Sequence, residues 1–179
     1  YPATASTYAI SVTWHKLKPW PDSAPGLKKL NDLGFVTSTL SNGNTQLLTD
    51  LAKFGGLPYA KILGAEDFGA YKPHEKVYRG AAEKLGCKTD ECALLAAHLG
   101  DLEAAKSCGY RTIHIEREGE EAWSKEKAEA AKRKGWVDMW VNLGQGGFEE
   151  VARRFGGVEN KTRQVNNDME ESARGGEYV

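Results

Sequence analysis

Short apolar segments alternate with stretches of helical periodicity along most of this 179-residue chain. The apolar segments, which we predict to be strands, are residues 35–40, 61–64, 93–97, 111–115 and 137–141. Helical periodicity occupies residues 25–33, 45–54, 75–85, 101–108, 120–134 and 148–155. Strands that are separated by helices in this way form βαβ units. The pattern therefore predicts an α/β fold built on a doubly wound parallel sheet.

Charge and composition exclude several classes of function. The 24 basic and 25 acidic residues give a formal net charge of −1, which provides no general field for nucleic acid or an acidic membrane surface. No stretch approaches the roughly 20 apolar residues that cross a bilayer, and no basic-then-apolar leader is present. The three cysteines, Cys87, Cys92 and Cys108, lack the spacing of a metal site. We expect a protein of the reducing cytoplasm that binds neither nucleic acid nor a membrane.

Polar side chains follow three consecutive predicted strands. Ser41 and Asn42 follow the first strand, Lys72 lies on the loop after the second, and His98 and Asp101 follow the third. In an open parallel sheet, ligands bind beyond the carboxyl ends of the strands. A hydroxyl and backbone N–H groups at a helix N-terminus, with a lysine beside them, suit an anion. The sequence predicts a pocket for a carboxylate or a phosphate at this edge.

Each candidate also has a purely structural interpretation. Ser41 and Asn42 are residue types common in turns and caps, and Lys72 precedes a proline on a loop. Asp101 could simply accept from the helix that it opens, and His98 alone is an ordinary residue at a strand end. What favours a site is that all three clusters fall at one edge of one predicted sheet.

Three segments carry a more specific pattern. They are Ser41-Asn42-Gly43-Asn44, then Tyr71-Lys72-Pro73-His74-Glu75-Lys76-Val77-Tyr78, then residues 96–106 around His98-Leu99-Gly100-Asp101. In order and spacing they resemble the second, third and fourth motifs of the haloacid dehalogenase superfamily. Lys18-Pro19-Trp20-Pro21-Asp22 resembles the segment that returns from the cap domain of such proteins to their core. Within the superfamily the resemblance is closest to the (S)-2-haloacid dehalogenases and their fungal-type relatives.

The resemblance implies a role for each residue of the predicted pocket. Ser41 and Asn42 would hold the substrate carboxylate and the nucleophile. Lys72 would balance the negative charge of the attacking aspartate and of the substrate, which is a small carboxylate.

Further roles concern the surroundings of Lys72. Asp101 would orient this lysine, and Tyr78, which by periodicity alone is a core tyrosine, would form hydrogen bonds around it. His98 would occupy the place where an asparagine often lines the water site. His98 and Ala96, where these dehalogenases often carry serine, are departures from the pattern of the family.

The fourth motif also bears on metal binding. Ala96 stands five positions before Asp101, where the magnesium-dependent phosphatases of the superfamily usually carry a second acidic residue. Mg²⁺ needs oxygen ligands that include at least one or two carboxylates. The resemblance therefore implies dehalogenase chemistry without a metal or an organic cofactor, and a phosphatase-like hydrolase is a less favoured alternative.

The nucleophile of the family is the missing part. The resemblance implies an aspartate in a motif such as Asp-x-x-Gly-Thr-Leu, which attacks the carbon bearing the halogen and forms an ester that water cleaves. No such motif occurs in this sequence. We expect a truncated chain, inactive alone, that lacks the first strand, the middle one of the sheet, and most of the cap. The alternative is a non-catalytic remnant that binds an anion or a protein partner.

Domain organisation follows from this interpretation. We expect residues 1–16 to be the remnant of the cap, residues 17–155 the core and residues 156–179 a flexible tail. One hypothesis is that residues 5–14, rich in Thr, Ile and Val, fill the position of the missing strand. Related enzymes are often dimers, so a homodimer is among the expected partners.

Overall fold

The computed structural model describes residues 13–157 of the chain. Its helices are α1 (Ser23–Asp32), α2 (Thr45–Gly55), α3 (Glu75–Leu85), α4 (Leu99–Ser107), α5 (Lys125–Lys134) and α6 (147–157). Its strands are β1 (Ala93–Ala96), β2 (Arg111–Ile115) and β3 (Met139–Val141). Helices and strands alternate from α3 onward, as the sequence predicts.

The three strands form one parallel sheet in the order β1-β2-β3. Leu95 lies opposite Ile113 in the first pair of strands, and Ile115 lies opposite Val141 in the second. Parallel neighbours need crossover connections, which α4 and α5 supply. The predicted α/β class with a parallel sheet is confirmed.

Side chains on the two faces of the sheet enter two separate cores, because successive residues of a strand point to opposite faces. On one face, residues of α3, α4 and α5 pack with Leu94 and Tyr110. On the other face, Ile113, Ile115 and Val141 pack against Leu30 of α1 and Val151 of α6. Helices therefore cover both faces, which is the doubly wound arrangement.

The first two predicted strands are only partly formed. Residues 35–41 and 61–64 meet in two isolated parallel bridges, Ser38 with Lys61 and Ser41 with Gly64. Val36 is 61% exposed, although its β-branched side chain suits a buried strand. Within residues 13–157 no bridge joins this pair to β1. An apolar strand gains a full ladder only when neighbours flank it on both sides, and among the described residues the segment 35–41 pairs with residues 61–64 alone.

Helices α1 and α5 begin at other residues than predicted. Helix α1 begins at Ser23 rather than at residue 25, and Asp22 at its N-cap makes no side-chain cap, because its carboxylate accepts from Arg117 and from the Phe148 backbone N–H instead. Helix α5 begins at Lys125 rather than at residue 120, because Ser124 caps it by accepting from the Lys127 N–H.

The predicted boundaries are tested only in part. Thr13 and Trp14 are helical and exposed, so this end of the segment proposed to replace a strand is not a strand, and residues 5–12 lie outside the described residues. Gly156 and Gly157 belong to α6 rather than to a tail; residues 158–179 are likewise outside. Among residues 13–157, no helix combines the length and apolarity of a membrane span.

Candidate functional site

Lys72 and Asp101 form an ion pair at the carboxyl edge of the sheet. Lys72 lies three residues before α3, and Asp101 lies in the first turn of α4, directly after β1. The Lys72 ammonium donates to Asp101 Oδ2 at 2.5 Å, and the two side chains are 18% and 15% exposed. A lysine ammonium has three N–H donors. No other described residue accepts from this ammonium, so two of its donors could serve a bound anion.

Tyr78 completes the surroundings of this carboxylate. Its hydroxyl donates to Asp101 Oδ1 at 2.6 Å, so each oxygen of Asp101 accepts from a different side chain. Burial, together with the hydrogen bond to the neighbouring carboxylate, raises the pKa of the Tyr78 phenol well above its usual value. Tyr78 is therefore held as a neutral donor that fixes the position of Asp101.

Tyr110 contacts Tyr78 through a hydrogen bond and through its ring. Its hydroxyl donates to the Tyr78 carbonyl at 2.7 Å, and the two rings meet edge to face at a centroid distance of 6.3 Å. Both residues belong to the core between α3 and α4. The donor to Asp101 is consequently held by packing as well as by hydrogen bonds.

The loop that contains Ser41 and Asn42 reaches Lys72 through its backbone. Asn42 Oδ1 accepts from the Lys72 N–H at 2.7 Å, and the Asn42 amide group donates to the Lys72 carbonyl at 3.2 Å. The Ser41 hydroxyl oxygen accepts from the Gly43 N–H at 3.1 Å. The loop is followed by the N-cap of α2, where Asn44 accepts from the Leu47 N–H. The clusters after the first and second predicted strands thus meet, as predicted.

The structure places His98 differently from the other candidates. Its side chain is 53% exposed, and its Nε2 lies 3.7 Å from Glu120 Oε2. It stands at the N-cap of α4 but makes no side-chain cap. Among the contacts of residues 13–157, none joins His98 with Lys72 or Asp101. Its part in lining a water site remains a prediction.

Glu121 was not identified from the sequence, yet it helps to position Asp101. Its Oε2 accepts from the Leu99 N–H at 2.8 Å and its Oε1 accepts from the Trp123 N–H at 2.8 Å. It thereby caps α4 from a distant loop. The sequence carries one signal for this: His98 is a poor residue for an N-cap, so an acceptor from elsewhere was to be expected.

Chemically, the arrangement has the features that could hold a small anion. A partly exposed ammonium is fixed by Asp101 and by the Asn42 amide group on its backbone, and a hydroxyl lies on the adjoining loop. A fixed positive charge shielded from water favours a bound or developing negative charge. Neither oxygen of Asp101 is left without a donor.

Comparison with known proteins identifies relatives of this chain. A family described as haloacid dehalogenase-like hydrolase matches residues 4–109, more than half of the chain. The (S)-2-haloacid dehalogenase 4A of Burkholderia cepacia is 32% identical over 108 residues, which are 59% of this chain and 47% of that protein. The glyceraldehyde 3-phosphate phosphatase of Methanopyrus kandleri is 30% identical over 104 residues, 56% of this chain and 45% of that protein. The chain thus spans about half the length of the curated relatives that it matches.

Solved structures give the same result for the fold. A crystal structure of an L-2-haloacid dehalogenase superposes with a TM-score of 0.71 at 32% identity, covering 84% of this chain and 62% of that chain. The L-2-haloacid dehalogenase of Xanthobacter autotrophicus with chloropropionic acid covalently bound superposes with a TM-score of 0.68 at 20% identity. That alignment covers 87% of this chain and 68% of the other, and at such low identity it shows a shared fold alone.

Proposed function

The chain belongs to the haloacid dehalogenase-like hydrolases, and from this premise we propose that it carries one half of a site that hydrolyses small 2-haloacids. The observation that carries the proposal is the pairing of Lys72 with Asp101 and, through Asp101, with Tyr78. A fixed ammonium of this kind holds the carboxylate of a 2-haloacid and lowers the repulsion between that carboxylate and an attacking aspartate.

The reaction proposed for the whole site runs in two steps. An aspartate oxygen attacks the carbon that bears the halogen; a C–O bond forms, the carbon–halogen bond breaks and the halide leaves with the electron pair. Water then attacks the ester, which releases a 2-hydroxy acid, regenerates the aspartate and liberates a proton. In this scheme Ser41 and Asn42 hold the substrate carboxylate, and His98 lines the water site.

We place the attacking aspartate in a strand between residues 35–41 and β1. Support comes from the pairing of the strands, since among residues 13–157 the segment 35–41 bridges only to residues 61–64 and not to β1. Leu40 and Ala96 both pack, half buried, against the core between α3 and α4. A strand at this position would end beside Ser41 and Lys72, at the edge where Asp101 also lies.

A phosphatase is the second candidate, because relatives with that activity match at similar identity. Against it stands Ala96, which has no carboxylate at the position of the second acidic residue. Asp101, moreover, already accepts from both Lys72 and Tyr78. Added Mg²⁺ separates the two candidates: release of phosphate that depends on Mg²⁺, by the protein with its aspartate strand supplied, would favour the phosphatase.

Binding of a 2-haloacid to the chain alone tests the proposal without requiring turnover. We expect (S)-2-chloropropionate to shift the backbone NMR signals of Ser41, Asn42 and Lys72. The shifts should disappear in Lys72→Met and persist in Lys28→Met, which removes an exposed lysine paired with Asp32. Equal shifts in the two variants, or signals that do not move, would contradict the proposed role of Lys72. Without the aspartate, the chain alone should release no halide.

A further inference from the structure

A buried histidine that the candidate site does not use contacts the turn between β1 and α4. His114 is the last but one residue of β2, and its side chain is 3% exposed. Its Nε2 lies 3.0 Å from the Ala97 carbonyl oxygen. Because a carbonyl oxygen only accepts, the ring carries its proton on Nε2 and donates it to Ala97. His114 therefore holds the residue that directly follows β1.

Glu121 holds the other end of the same turn, which we call the connecting turn (residues 97–99). Glu121 lies between β2 and α5, and its side chain is 20% exposed. Its Oε2 accepts from the Leu99 N–H at 2.8 Å. The two side chains thus bind the backbone on either side of His98, one at a carbonyl and the other at an N–H.

His114 and Glu121 also face each other. The distance from His114 Nε2 to Glu121 Oε2 is 3.6 Å, and this is the same oxygen that accepts from Leu99. The other oxygen of Glu121 accepts from the Trp123 N–H, which fixes the carboxylate within its own loop. Removing either His114 or Glu121 therefore changes the surroundings of the other.

The connecting turn sets the position of Asp101. The Asp101 N–H and the Leu102 N–H both donate to the His98 carbonyl, at 3.2 and 3.3 Å. The peptide groups of the connecting turn are consequently the start of the helical turn that carries Asp101. Asp101 in turn accepts from the Lys72 ammonium.

We propose that His114 and Glu121 act as one unit that positions the connecting turn, and through it Asp101 and Lys72, before an anion binds. Charged groups that are already in place need no rearrangement when the negative charge arrives, and such groups depend on the residues behind them. The inference rests on the proposed function, because it makes both residues positioning residues of the dehalogenase site.

Amide hydrogen exchange of the full chain without ligand tests whether Glu121 holds the turn. In Glu121→Ala the Leu99 amide should exchange about tenfold faster or more, because it loses a charged acceptor. The amides of β2, which report on the whole fold, should be accelerated less. Glu120→Gln is the matched control, since the neighbouring carboxylate is 45% exposed and lies 3.7 Å from the His98 ring. It should leave the exchange of Leu99 unchanged.

Two replacements of His114 test its part in the unit. His114→Leu removes the donor to Ala97 and should accelerate the exchange of Leu99, whereas His114→Gln retains a side-chain N–H and should preserve most of the protection. Combining His114→Leu with Glu121→Ala should accelerate exchange by less than the product of the two single effects, as expected for residues that act together.

NMR spectra of the His114 ring keep the test valid if His114→Leu does not fold, which circular dichroism reveals. Proton–nitrogen correlations should show the proton on Nε2 in the wild-type chain, and the Nε2–H signal should shift in Glu121→Ala but not in Glu120→Gln. A proton on Nδ1, or an Nε2–H signal that does not respond to Glu121→Ala, would overturn the proposal.

Titration with (S)-2-chloropropionate connects the turn with the site. Its dissociation constant should rise about fivefold or more in Glu121→Ala and stay unchanged in Glu120→Gln. An unchanged affinity in Glu121→Ala would overturn the positioning role, and so would equal acceleration of the Leu99 and β2 amides. If the wild-type chain bound no haloacid, the proposed function would fail, while hydrogen exchange and the ring signals would still decide whether the unit holds the turn.

Discussion

Asp101 illustrates, at the scale of single residues, how one carboxylate can organise a site. It accepts from the Lys72 ammonium and from the Tyr78 hydroxyl, and its own side chain is 15% exposed. The position of the lysine ammonium therefore depends on a carboxylate whose two oxygens each already accept a hydrogen bond. Replacing that group should be costly.

Asp101→Asn should lower the free energy of unfolding by about 1–3 kcal/mol, because it leaves a largely buried ammonium without its counter-charge. Urea unfolding measures this loss. The matched control is Asp32→Asn, which removes an exposed partner of Lys28 and should cost no more than about 0.5 kcal/mol. Similar small effects at both positions would show that the ion pair of Lys72 and Asp101 adds no more to stability than an exposed pair does.

His114 is a second residue for which burial determines behaviour. Its Nε2 donates to the Ala97 carbonyl at 3.0 Å, and its buried Nδ1 has no hydrogen-bond partner among residues 13–157. Burial lowers the pKa of this imidazole, although the carboxylates of Glu121 and Glu116 oppose the shift. The neutral ring is thus the form that folding selects.

Because the folded pKa of His114 is depressed, the unfolded chain binds a proton more readily, and acid should favour unfolding. Stability should fall between about pH 7 and pH 5, before the acidic residues with lowered pKa values begin to protonate. Urea midpoints across this range measure the slope. His114→Gln should flatten it, while His74→Asn, at an exposed helix cap, should leave it unchanged. A slope that survives in His114→Gln would contradict this assignment.

The sequence predicts which residues gather at the carboxyl edge of the sheet better than it predicts the hydrogen-bond partners of those residues. Ser41, Lys72 and Asp101 converge because parallel strands end at one side of a sheet. By contrast, the contact of Asn42 with the Lys72 backbone depends on a loop conformation that no periodicity encodes. Glu121 was missed for the same reason, since its loop comes from a different crossover.

At the scale of elements, helices α1 and α6 pack so closely that the residue at their contact must be small. Gly26 of α1 lies against α6, and a Cβ built at Gly26 would be 2.4 Å from the Phe148 Cβ and 2.5 Å from the Phe148 carbonyl carbon. Backbone atoms cannot yield as a flexible side chain can. The glycine is therefore required by packing rather than by its own backbone conformation.

Gly26→Ala should lower the free energy of unfolding by about 1–3 kcal/mol through overpacking, although alanine is the better helix former. Gly157 provides the matched control, because it lies in the other helix and no described residue comes within 4 Å of a Cβ at its position. Gly157→Ala should be neutral or slightly stabilising in the same chemical denaturation experiment. Equal tolerance of both changes would mean that α1 and α6 are less closely packed than described.

Residues 35–40 show what the sequence cannot predict about an element. Their apolar, β-branched composition indicates a buried strand, yet within the described part of the chain they form only isolated bridges, and Phe35 and Val36 are exposed. Strand formation depends on neighbours that are distant in sequence, so local composition does not decide it. The strands β1, β2 and β3 were predicted correctly because each finds a parallel partner within the described chain.

At the scale of the whole molecule, one largely buried ion pair connects distant parts of the chain. The Asp22 carboxylate accepts two hydrogen bonds from Arg117, at 2.7 and 2.6 Å, and a third from the Phe148 N–H at 2.8 Å. The start of α1, the loop after β2 and the first turn of α6 therefore meet at a single side chain. The Arg117 guanidinium also stacks over the Trp20 ring at 4.9 Å.

Asp22→Ala should destabilise the fold by about 3 kcal/mol, because it leaves the largely buried Arg117 guanidinium unpaired and the Phe148 N–H without its acceptor. The double variant Asp22→Ala with Arg117→Met removes the unpaired charge and should recover part of that loss in urea unfolding. If the loss of stability in the double variant equalled the sum of the losses in the two single variants, Asp22 and Arg117 would not be coupled as proposed.

The central claim is that the edge formed by Ser41, Lys72, Tyr78 and Asp101 is half of a dehalogenase site, and halide release tests it most directly. The protein to assay carries, ahead of this chain, a strand with an Asp-x-x-Gly-Thr-Leu motif, and (S)-2-chloropropionate is the substrate. We predict chloride release by this fusion. Lys72→Met should lower kcat/KM by about 100-fold or more, while Lys28→Met should leave it unchanged. Chloride release by the chain without the added strand, or release that survives Lys72→Met in the folded fusion, would contradict the account.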